Sequence, residues 1–432
     1  MEDVLAFFDA RLTEWSVVPE CSADDATRFT AFHNLPRLQR LKLFRNKVVQ
    51  DALLPTYLSA LRTPNESYIV SRIGSPSKYG EVYLVCMRGV YLACKVLPIL
   101  SPESQAQNVK ELQFAQKASD LVERGVCPYF PLVYFASPAS KVVLQHSNSL
   151  VALRGRLWEA RPRVLDMLID PARTEVPKGA KTILFRKYKE QILSDSTDID
   201  VAKPKEQWLA DLGKVFQIEQ LRIPPAVFSA VVDEALAATP EFTATLLFSE
   251  LADVDLKYMF LADKRSQLPP RLDVCKERFM DAAVFRQVCL NIVQAIQALQ
   301  NVSMVHNDLH MANVLVMCHG AAVIPLLHDF GLSRVQREWD TGSRIHDLYS
   351  LFIMSMQDSD LVGQTGLSPE AEDVLRGIKE IVNTYARQDR TDTGLFDELI
   401  SFLTAGLTGG RRAAPRALNG GYASAAFGMI KV

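Results

Sequence analysis

The chain has 432 residues, of which 48% are hydrophobic and 23% charged, as expected for a soluble globular protein with two or three hydrophobic cores. Its formal net charge of −2 argues against a protein that binds nucleic acid mainly through charge. No apolar run reaches the length of a membrane span, and the acidic start MEDVLAFFDARL lacks the bases of a secretory signal. The odd count of 7 cysteines, without a C-x-x-C pair, favours reduced thiols and an intracellular, cytoplasmic location.

Residues 1–65 are predicted to form a helical extension. Apolar side chains recur at three- and four-residue spacing through LPRLQRLKLFRNKVV, and bases lie between them. Two interpretations are open for this basic stretch. It meets a membrane surface or nucleic acid, or it packs on the following domain and leaves a solvated basic face.

Residues 68–97 predict an antiparallel meander, because three short runs rich in β-branched and aromatic side chains are separated by turns. A helix is expected from the Ser-Pro pair at 101–102 onwards, and further strands are expected at 131–136 and 141–145.

The segment of about 145–240 is a predicted insertion with a basic stretch, then the charged run SDSTDIDVAKPKEQ, then two helices. After a strand at TATLLFSEL the chain is predicted to be mainly helical, apart from a strand-turn-strand region at 312–329. The Gly/Ala/Arg-rich residues 408–432 are predicted to form a flexible tail.

Three polar residues in HNDLHMANVLV and LLHDFGL carry the strongest chemical signal. Asp308 and Asn313 precede one apolar strand, and Asp329 follows another. Phosphoryl transfer needs a hydroxyl aimed in line and metal ions that neutralise phosphate oxygens. Carboxylate and amide oxygens are the hard ligands that Mg²⁺ prefers. The three residues therefore supply the oxygen groups that Mg²⁺-assisted phosphoryl transfer requires.

The same segments resemble those of protein kinases. HNDLHMAN resembles the H-R-D-L-x-x-x-N catalytic loop, and HDFG is similar to the D-F-G turn. The resemblance implies that Asp308 positions the acceptor hydroxyl as it loses its proton, and that Asn313 and Asp329 hold Mg²⁺. It also implies that Asp347 anchors the backbone of the catalytic loop, with His306 packed beneath that loop.

The run IGSPSKYGEVYLV resembles the glycine-rich loop that covers the nucleotide in protein kinases. The resemblance implies that Gly74, Ser77, Gly80 and Val82 contact ATP, with Ser77 in place of the middle glycine and a proline inserted. ACKVL resembles the third-strand V-A-I-K motif, which implies that Lys95 binds the α- and β-phosphates.

Two further segments complete the resemblance. NVKELQFAQKAS resembles helix C of vaccinia-related kinases, which implies that Glu111, rather than Glu103, orients Lys95. LLFSELADVDLKYMF resembles the fifth strand and hinge, which implies that backbone groups near Glu250 and Ala252 meet the adenine edge.

The resemblance covers about 68–140 and 243–405 and implies a bilobal α+β fold. The small lobe is expected over 66–250, including the insertion, and the large lobe over 251–407. The implied activity is that of an ATP- and Mg²⁺-dependent serine/threonine protein kinase acting on protein hydroxyls. The style of the segments also resembles casein-kinase-like kinases and those of large cytoplasmic DNA viruses, which implies the host cytoplasm or the virion as location.

The chain departs from the kinase pattern in three places. Asn307 replaces the catalytic-loop arginine, so regulation by activation-loop phosphorylation is not expected. His310 makes the loop similar to haspin-like kinases and to aminoglycoside and choline phosphotransferases; it either contacts the γ-phosphate or hydrogen-bonds within the loop. Asp347 follows Asp329 by only 18 positions, and no A-P-E motif follows.

These departures leave two alternatives to a protein kinase. One is a small-molecule phosphotransferase, and the other is a pseudokinase scaffold, which the irregular glycine-rich loop favours. The insertion at 145–240 either docks a partner or covers the small lobe.

Overall fold

The computed structural model describes residues 37–45, 69–74, 77–87, 90–144, 148–170, 186, 189–193, 198–319, 322–336, 342–357, 364–387 and 394–407. They form a mixed α+β fold with small antiparallel sheets and many helices, as predicted. The described residues divide into two compact units. The first unit lies within Phe44–Val109 and Phe135–Phe248, and the second within Thr30–Leu43, Lys110–Tyr134 and Ser249–Val432.

Of the predicted helical extension, the structure describes one short helix, α1 (Arg37–Arg45). The rest of residues 1–65, and all of 408–432, lie outside the described residues.

A five-stranded sheet forms the framework of the first unit, with strand order β1-β2-β3-β5-β4. Its strands are β1 (Ile69–Ile73), β2 (Glu81–Met87), β3 (Val90–Pro98), β4 (Val133–Val142) and β5 (Phe242–Ser249). The predicted strands at 131–136 and 141–145 are thus one continuous strand. The helix α2 (Pro102–Glu123) follows β3 where the Ser-Pro start predicted it.

The pairing of β2 with β3 determines which side chains share a face. Val82 lies opposite Lys95, and Tyr83 lies opposite Cys94, in antiparallel register. Tyr83 and Cys94 are fully buried, whereas Val82 and Lys95 are half-buried. Because side chains alternate along a strand, Val82 and Lys95 occupy the face away from the buried pair.

The insertion folds into helices with a core of their own. These are α3 (Leu150–Ile169), α4 (Lys205–Val215) and α5 (Pro225–Ala237), and Ile192 and Ile199 belong to the same core. The two later helices were predicted. α3 was not, because Pro162 and several arginines obscure its apolar spacing.

Helix α3 packs directly on the five-stranded sheet. A Cβ atom on Gly155 would lie 2.3 Å from the ring of Phe242 in β5, so the helix approaches the strand where only glycine fits. The insertion therefore covers part of the sheet, in agreement with one of its two interpretations. The docking partner stays a prediction.

The second unit combines short strands with helices. The strands form a three-stranded sheet, β6-β8-β9, and a two-stranded one, β7-β10. They are β6 (Val254–Asp255), β7 (Met304–Val305), β8 (Val314–His319), β9 (Ala322–Leu327) and β10 (Arg334–Val335). The helices are α6 (Leu256–Phe260), α7 (Ala262–Ser266), α8 (Asp273–Phe279), α9 (Ala282–Asn301), α10 (Gly342–Tyr349), α11 (Pro369–Arg387) and α12 (Gly394–Ala405). A π-helical turn, Ser350–Ser355, continues α10.

Helix α9 lies in the core of the second unit. Among the described helices it alone has the length and apolar composition of a membrane span. Of its most apolar stretch, 61% is buried inside the fold. The core helix of a globular protein can have the same length and composition. The helix is therefore consistent with the predicted absence of a membrane span.

One expectation about the cysteines is wrong. Cys275 in α8 and Cys318 in β8 form a disulfide, 43 residues apart in sequence. Their distant positions carry no pairing motif, and the packing of α8 on the β8-β9 hairpin brings them together. Cys94, Cys127 and Cys289 are buried free thiols, and burial raises the pKa of Cys127 to about 11.

Candidate functional site

The loop after β7 is held by one buried carboxylate. Asp347, in α10, is fully buried and accepts the backbone N–H of His306 at 2.9 Å and that of Asn307 at 2.8 Å. A buried carboxylate needs donors of this kind, and here they come from the loop backbone. The predicted anchoring role of Asp347 is confirmed.

His306 is a structural residue beneath the loop, as predicted. It is fully buried, its Nε2 lies 2.8 Å from the carbonyl of His328, and its ring lies 5.2 Å from that of Phe330. Its carbonyl accepts a hydrogen bond from Ser333 Oγ. These contacts fasten the loop to the segment that follows β9.

Asp308 projects from the anchored loop with 43% of its side chain exposed. Asn313 donates through Nδ2 to the Asp308 carbonyl at 2.8 Å and lies 3.4 Å from Asp308 Oδ2. His310 Nε2 lies 4.0 Å from the same carboxylate oxygen. The loop thus presents an accessible carboxylate beside a buried amide and a half-exposed imidazole. Contact of His310 with a γ-phosphate stays a prediction.

Two residues of the site adopt left-handed backbone conformations. Asn307 has φ 66° and Asp329 has φ 65°. Such values are uncommon for residues other than glycine, and they persist where surrounding contacts enforce them, often at functional sites. Asn307, which replaces the expected arginine, donates to the Leu332 carbonyl and accepts from Arg334. Its amide therefore joins the loop to the segment after the D-F-G turn.

The D-F-G turn is bonded to the same loop through His328. The His328 N–H donates to the Asn313 carbonyl at 3.1 Å, and its ring Nε2 lies 3.1 Å from the Ala312 carbonyl. Asp329 follows immediately in sequence. An amide oxygen from Asn313 and a carboxylate from Asp329 are hard donors that suit Mg²⁺.

A second carboxylate lies beside the D-F-G turn. Glu111, in α2, is 6% exposed, and a Cβ on Gly331 would lie 3.1 Å from its Oε2. The same Cβ would lie 3.4 Å from Asp329 Oδ1. Gly331 therefore leaves room for both carboxylates. The pairing of Glu111 with Lys95 of the first unit stays a prediction.

In the first unit, the glycine-rich hairpin brings Gly80 against Lys95. A Cβ on Gly80 would lie 2.7 Å from Leu97 Cδ2 and 3.3 Å from Lys95 Cε. Val82 faces Lys95 across the strands, so three predicted site residues share one location.

The other two predicted loop residues have distinct roles. Gly74 has φ +81°, a conformation that favours glycine, and its missing Cβ would point into open space. Ser77 accepts the Tyr79 N–H through Oγ at 3.2 Å. The serine hydroxyl thus supports the turn where a middle glycine was expected.

Glu250 shows a feature that the sequence did not predict. Its carboxylate is fully buried and accepts hydrogen bonds from Arg37 Nη2 at 2.7 Å and from Arg40 Nη2 at 2.9 Å. Arg37 also donates to the carbonyls of Pro128 and Phe130. Burial alone favours the protonated acid, but the two guanidinium groups outweigh it and lower the pKa of Glu250.

This cluster confirms that α1 packs on the rest of the fold, and it corrects the expectation that the two arginines lie on a solvated face. Arg37 and Arg40 are 5% and 3% exposed, so their charges serve a buried ion pair. Their spacing of three places them on one helical face, which was an available signal. The partner, Glu250, is more than 200 residues away and could not be inferred.

The segment after Glu250 is ordered by backbone bonds. The Glu250 N–H donates to the Leu132 carbonyl, and that of Asp253 donates to the Val316 carbonyl. Ala252 packs on an apolar cluster that includes Met317. Contact of Glu250 and Ala252 with adenine stays a prediction.

Together, the fold and site define an α+β protein in which a buried aspartate anchors an acidic, partly exposed loop. A scan against protein-family models found no match to the chain, and a search of curated proteins found none.

Proposed function

We propose that this protein is an ATP- and Mg²⁺-dependent phosphotransferase with a bilobal, protein-kinase-like fold, and that it phosphorylates serine or threonine hydroxyls of proteins. The observation that carries the proposal is the linkage of Asp347, the loop carrying Asp308 and Asn313, and the turn carrying Asp329. Two hydrogen bonds to the buried Asp347 carboxylate and two made by His328 hold these groups together. Phosphoryl transfer depends mainly on such positioning.

The acceptor hydroxyl is assigned to Asp308. Its carboxylate is accessible, and the bond from Asn313 fixes the backbone that carries it. Asp308 orients the hydroxyl and takes up its proton as the oxygen attacks. Asn313 and Asp329 hold Mg²⁺, which supplies charge neutralisation at the phosphate oxygens when bound.

The phosphates of the same nucleotide are assigned to residues of the first unit. Lys95 contacts the α- and β-phosphates, and Gly80 allows the loop backbone to lie close to its side chain. The loop that covers the nucleotide is completed by Gly74, Ser77 and Val82. Glu111 orients Lys95 in this proposal.

A small-molecule phosphotransferase is the second candidate, and the short segment between the D-F-G turn and α10 favours it. Asp347 follows Asp329 by only 18 positions, and two of the intervening residues form β10. That length offers little surface for docking a peptide. A catalytically inactive scaffold is disfavoured, because such a protein has no need of both proposed Mg²⁺ ligands.

The test is transfer of γ-phosphate from radiolabelled ATP with Mg²⁺. Wild type is compared with Asp308→Ala and with Asp373→Ala, which removes an exposed aspartate that pairs with Arg376 in the same helix. Generic proteins, the chain itself and a panel of amino sugars and amino alcohols serve as acceptors. We expect labelled protein with wild type and Asp373→Ala, and none with Asp308→Ala.

Other outcomes discriminate between the candidates. Label in a small molecule alone would favour the second candidate. ATP binding without any transfer would favour a scaffold. Equal transfer by wild type and Asp308→Ala would refute the mechanism.

A further inference from the structure

The tip of the glycine-rich loop is bonded to the insertion. Lys78 Nζ lies 3.2 Å from Asp198 Oδ2 and 3.6 Å from Asp200 Oδ1, and Tyr79 donates its hydroxyl to Asp198 at 3.3 Å. Burial disfavours the charged form of Lys78, but its contacts with Asp198 and Tyr79 together outweigh burial and raise the pKa of Lys78. All these residues belong to the first unit.

Arg154, in the second turn of α3, joins the same contact from the other side. It donates to the Lys78 carbonyl at 3.0 Å and to Asp198 Oδ1 at 2.7 Å. Its guanidinium also lies 5.3 Å from the centre of the Tyr79 ring. One arginine therefore binds both the loop backbone and the carboxylate that holds the loop side chains.

A buried contact fixes the base of the same hairpin. Glu81, the residue after Gly80, accepts hydrogen bonds from Ser149 Oγ at 2.7 Å, from the Leu150 N–H at 2.9 Å and from the Tyr83 hydroxyl. Ser149 and Leu150 form the N-terminus of α3, so Glu81 satisfies a free helical N–H. Glu81 is 2% exposed, so this anchor at the base of the hairpin is shielded from solvent.

We propose that the insertion sets the conformation of the glycine-rich loop, with Arg154 and Asp198 as positioning residues for the nucleotide. This inference rests on the proposed function, because it assigns the loop to ATP. Neither residue is assigned contact with ATP. Each acts through Lys78 and Tyr79, whose backbone lies between Ser77 and Gly80.

The physical reason is the cost of ordering a loop. A loop already held in its binding conformation loses less conformational entropy when the ligand binds, so the affinity is higher. The Glu81 anchor is shielded from solvent, whereas Asp198 is 48% exposed and its ion pairs are weakened by salt. The contact of Asp198 with Lys78 and Tyr79 is thus the weaker of the two. Its loss should lower the affinity for the nucleotide and leave the rate of the chemical step unchanged.

The test uses the full chain with Asp198→Ala and a matched control, Asp233→Ala. Asp233 is 50% exposed, belongs to the same insertion and pairs with Lys205 at 2.8 Å. Hydrogen exchange of the loop amides is measured without nucleotide. The KM for ATP and kcat are measured at low and high salt.

We expect faster exchange at residues 77–80 in Asp198→Ala and a KM for ATP raised about two- to fivefold with kcat unchanged, since exposed ion pairs have effects of this size. At high salt, the KM for ATP of Asp198→Ala should lie closer to that of wild type. Asp233→Ala should behave like wild type, and Arg154→Ala combined with Asp198→Ala should show less than the sum of the two effects.

Unchanged exchange at 77–80 in Asp198→Ala would overturn the inference, whatever the activity. So would a fall in kcat with unchanged KM. If wild type neither binds ATP nor transfers phosphate, the proposed function and the role in nucleotide binding both fail. Faster exchange in the variant would then still establish the structural link between insertion and loop.

Discussion

The buried carboxylate of Asp347 accepts the backbone N–H of Asn307 at 2.8 Å, and it thereby holds in a left-handed conformation the residue directly before Asp308. Because Asp347 lies in α10, the position of the exposed carboxylate depends on a helix 40 residues further along the chain. This relationship makes the loop's conformation sensitive to a residue that cannot itself contact substrate.

Replacing Asp347 should therefore impair both stability and activity. Asp347→Ala leaves the N–H groups of His306 and Asn307 buried without their acceptor, and we expect the free energy of unfolding to fall by about 2–4 kcal/mol. Phosphate transfer should be lost under conditions where the variant is still folded. Urea unfolding followed by circular dichroism measures the first effect, with Asp373→Ala as the exposed control. A variant with wild-type stability would contradict the anchoring role.

The buried cluster of Arg37, Arg40 and Glu250 should be a major source of stability. Glu250→Gln removes the buried negative charge that Arg37 and Arg40 share, which should cost about 3–5 kcal/mol at neutral pH. The control is Glu372→Gln, at an exposed position of α11. Urea unfolding at pH 7 gives the comparison, and a loss equal to that of the control would show that the cluster is dispensable.

The same cluster predicts a dependence on pH. The folded-state pKa of Glu250 lies below its ordinary value of 4.5, so the folded state holds the charged form more strongly than the unfolded state does. The stabilisation is fully present above pH 4.5 and is lost as the pH falls through the folded-state pKa. The difference in unfolding free energy between wild type and Glu250→Gln should thus shrink in acid. A constant difference from pH 7 to pH 3 would contradict this assignment.

Two glycines of the first unit should respond differently to alanine. In Gly80→Ala, the new Cβ meets Leu97 and Lys95, so we expect a stability loss of about 1–3 kcal/mol and a raised KM for ATP. In Gly74→Ala, the Cβ meets open space, and only the left-handed backbone costs about 1–2 kcal/mol. Thermal unfolding and ATP titration of both variants test the contrast. Equal KM values in the two variants would argue against a specific effect of Gly80 on Lys95.

The disulfide between Cys275 and Cys318 should stabilise the second unit by restricting its unfolded chain. Closing a loop of 43 residues predicts a loss of about 2–4 kcal/mol in Cys275→Ser. Peptide mass mapping without reductant should recover the cross-linked pair, and urea unfolding of the oxidised wild type and the variant should give the energy. Recovery of both cysteines as free thiols under oxidising conditions would refute the pairing.

Much of the local structure could be predicted from the sequence alone. The meander that carries Lys95, the helix that carries Glu111 and the hairpin after Asn313 follow from apolar periodicity and turn residues, which act between near neighbours. Helix α3 was not predicted, because Pro162 interrupts its apolar periodicity. The candidate residues Asp308, Asn313 and Asp329 were likewise chosen from residue type and spacing, and their chemistry stays a prediction.

The sequence by itself determined which residue types are available to the site, and the tertiary structure decided how they are held. The contact of Arg37 with Glu250, the bonds of Asp347 to the loop and the ties of Arg154 and Asp198 to Lys78 join residues 40 to more than 200 positions apart. No local propensity encodes such partners, because a buried charge or a loop side chain is satisfied by whichever group the packing brings within reach. The same reason applies to the disulfide, whose cysteines are paired by the approach of a helix to a strand.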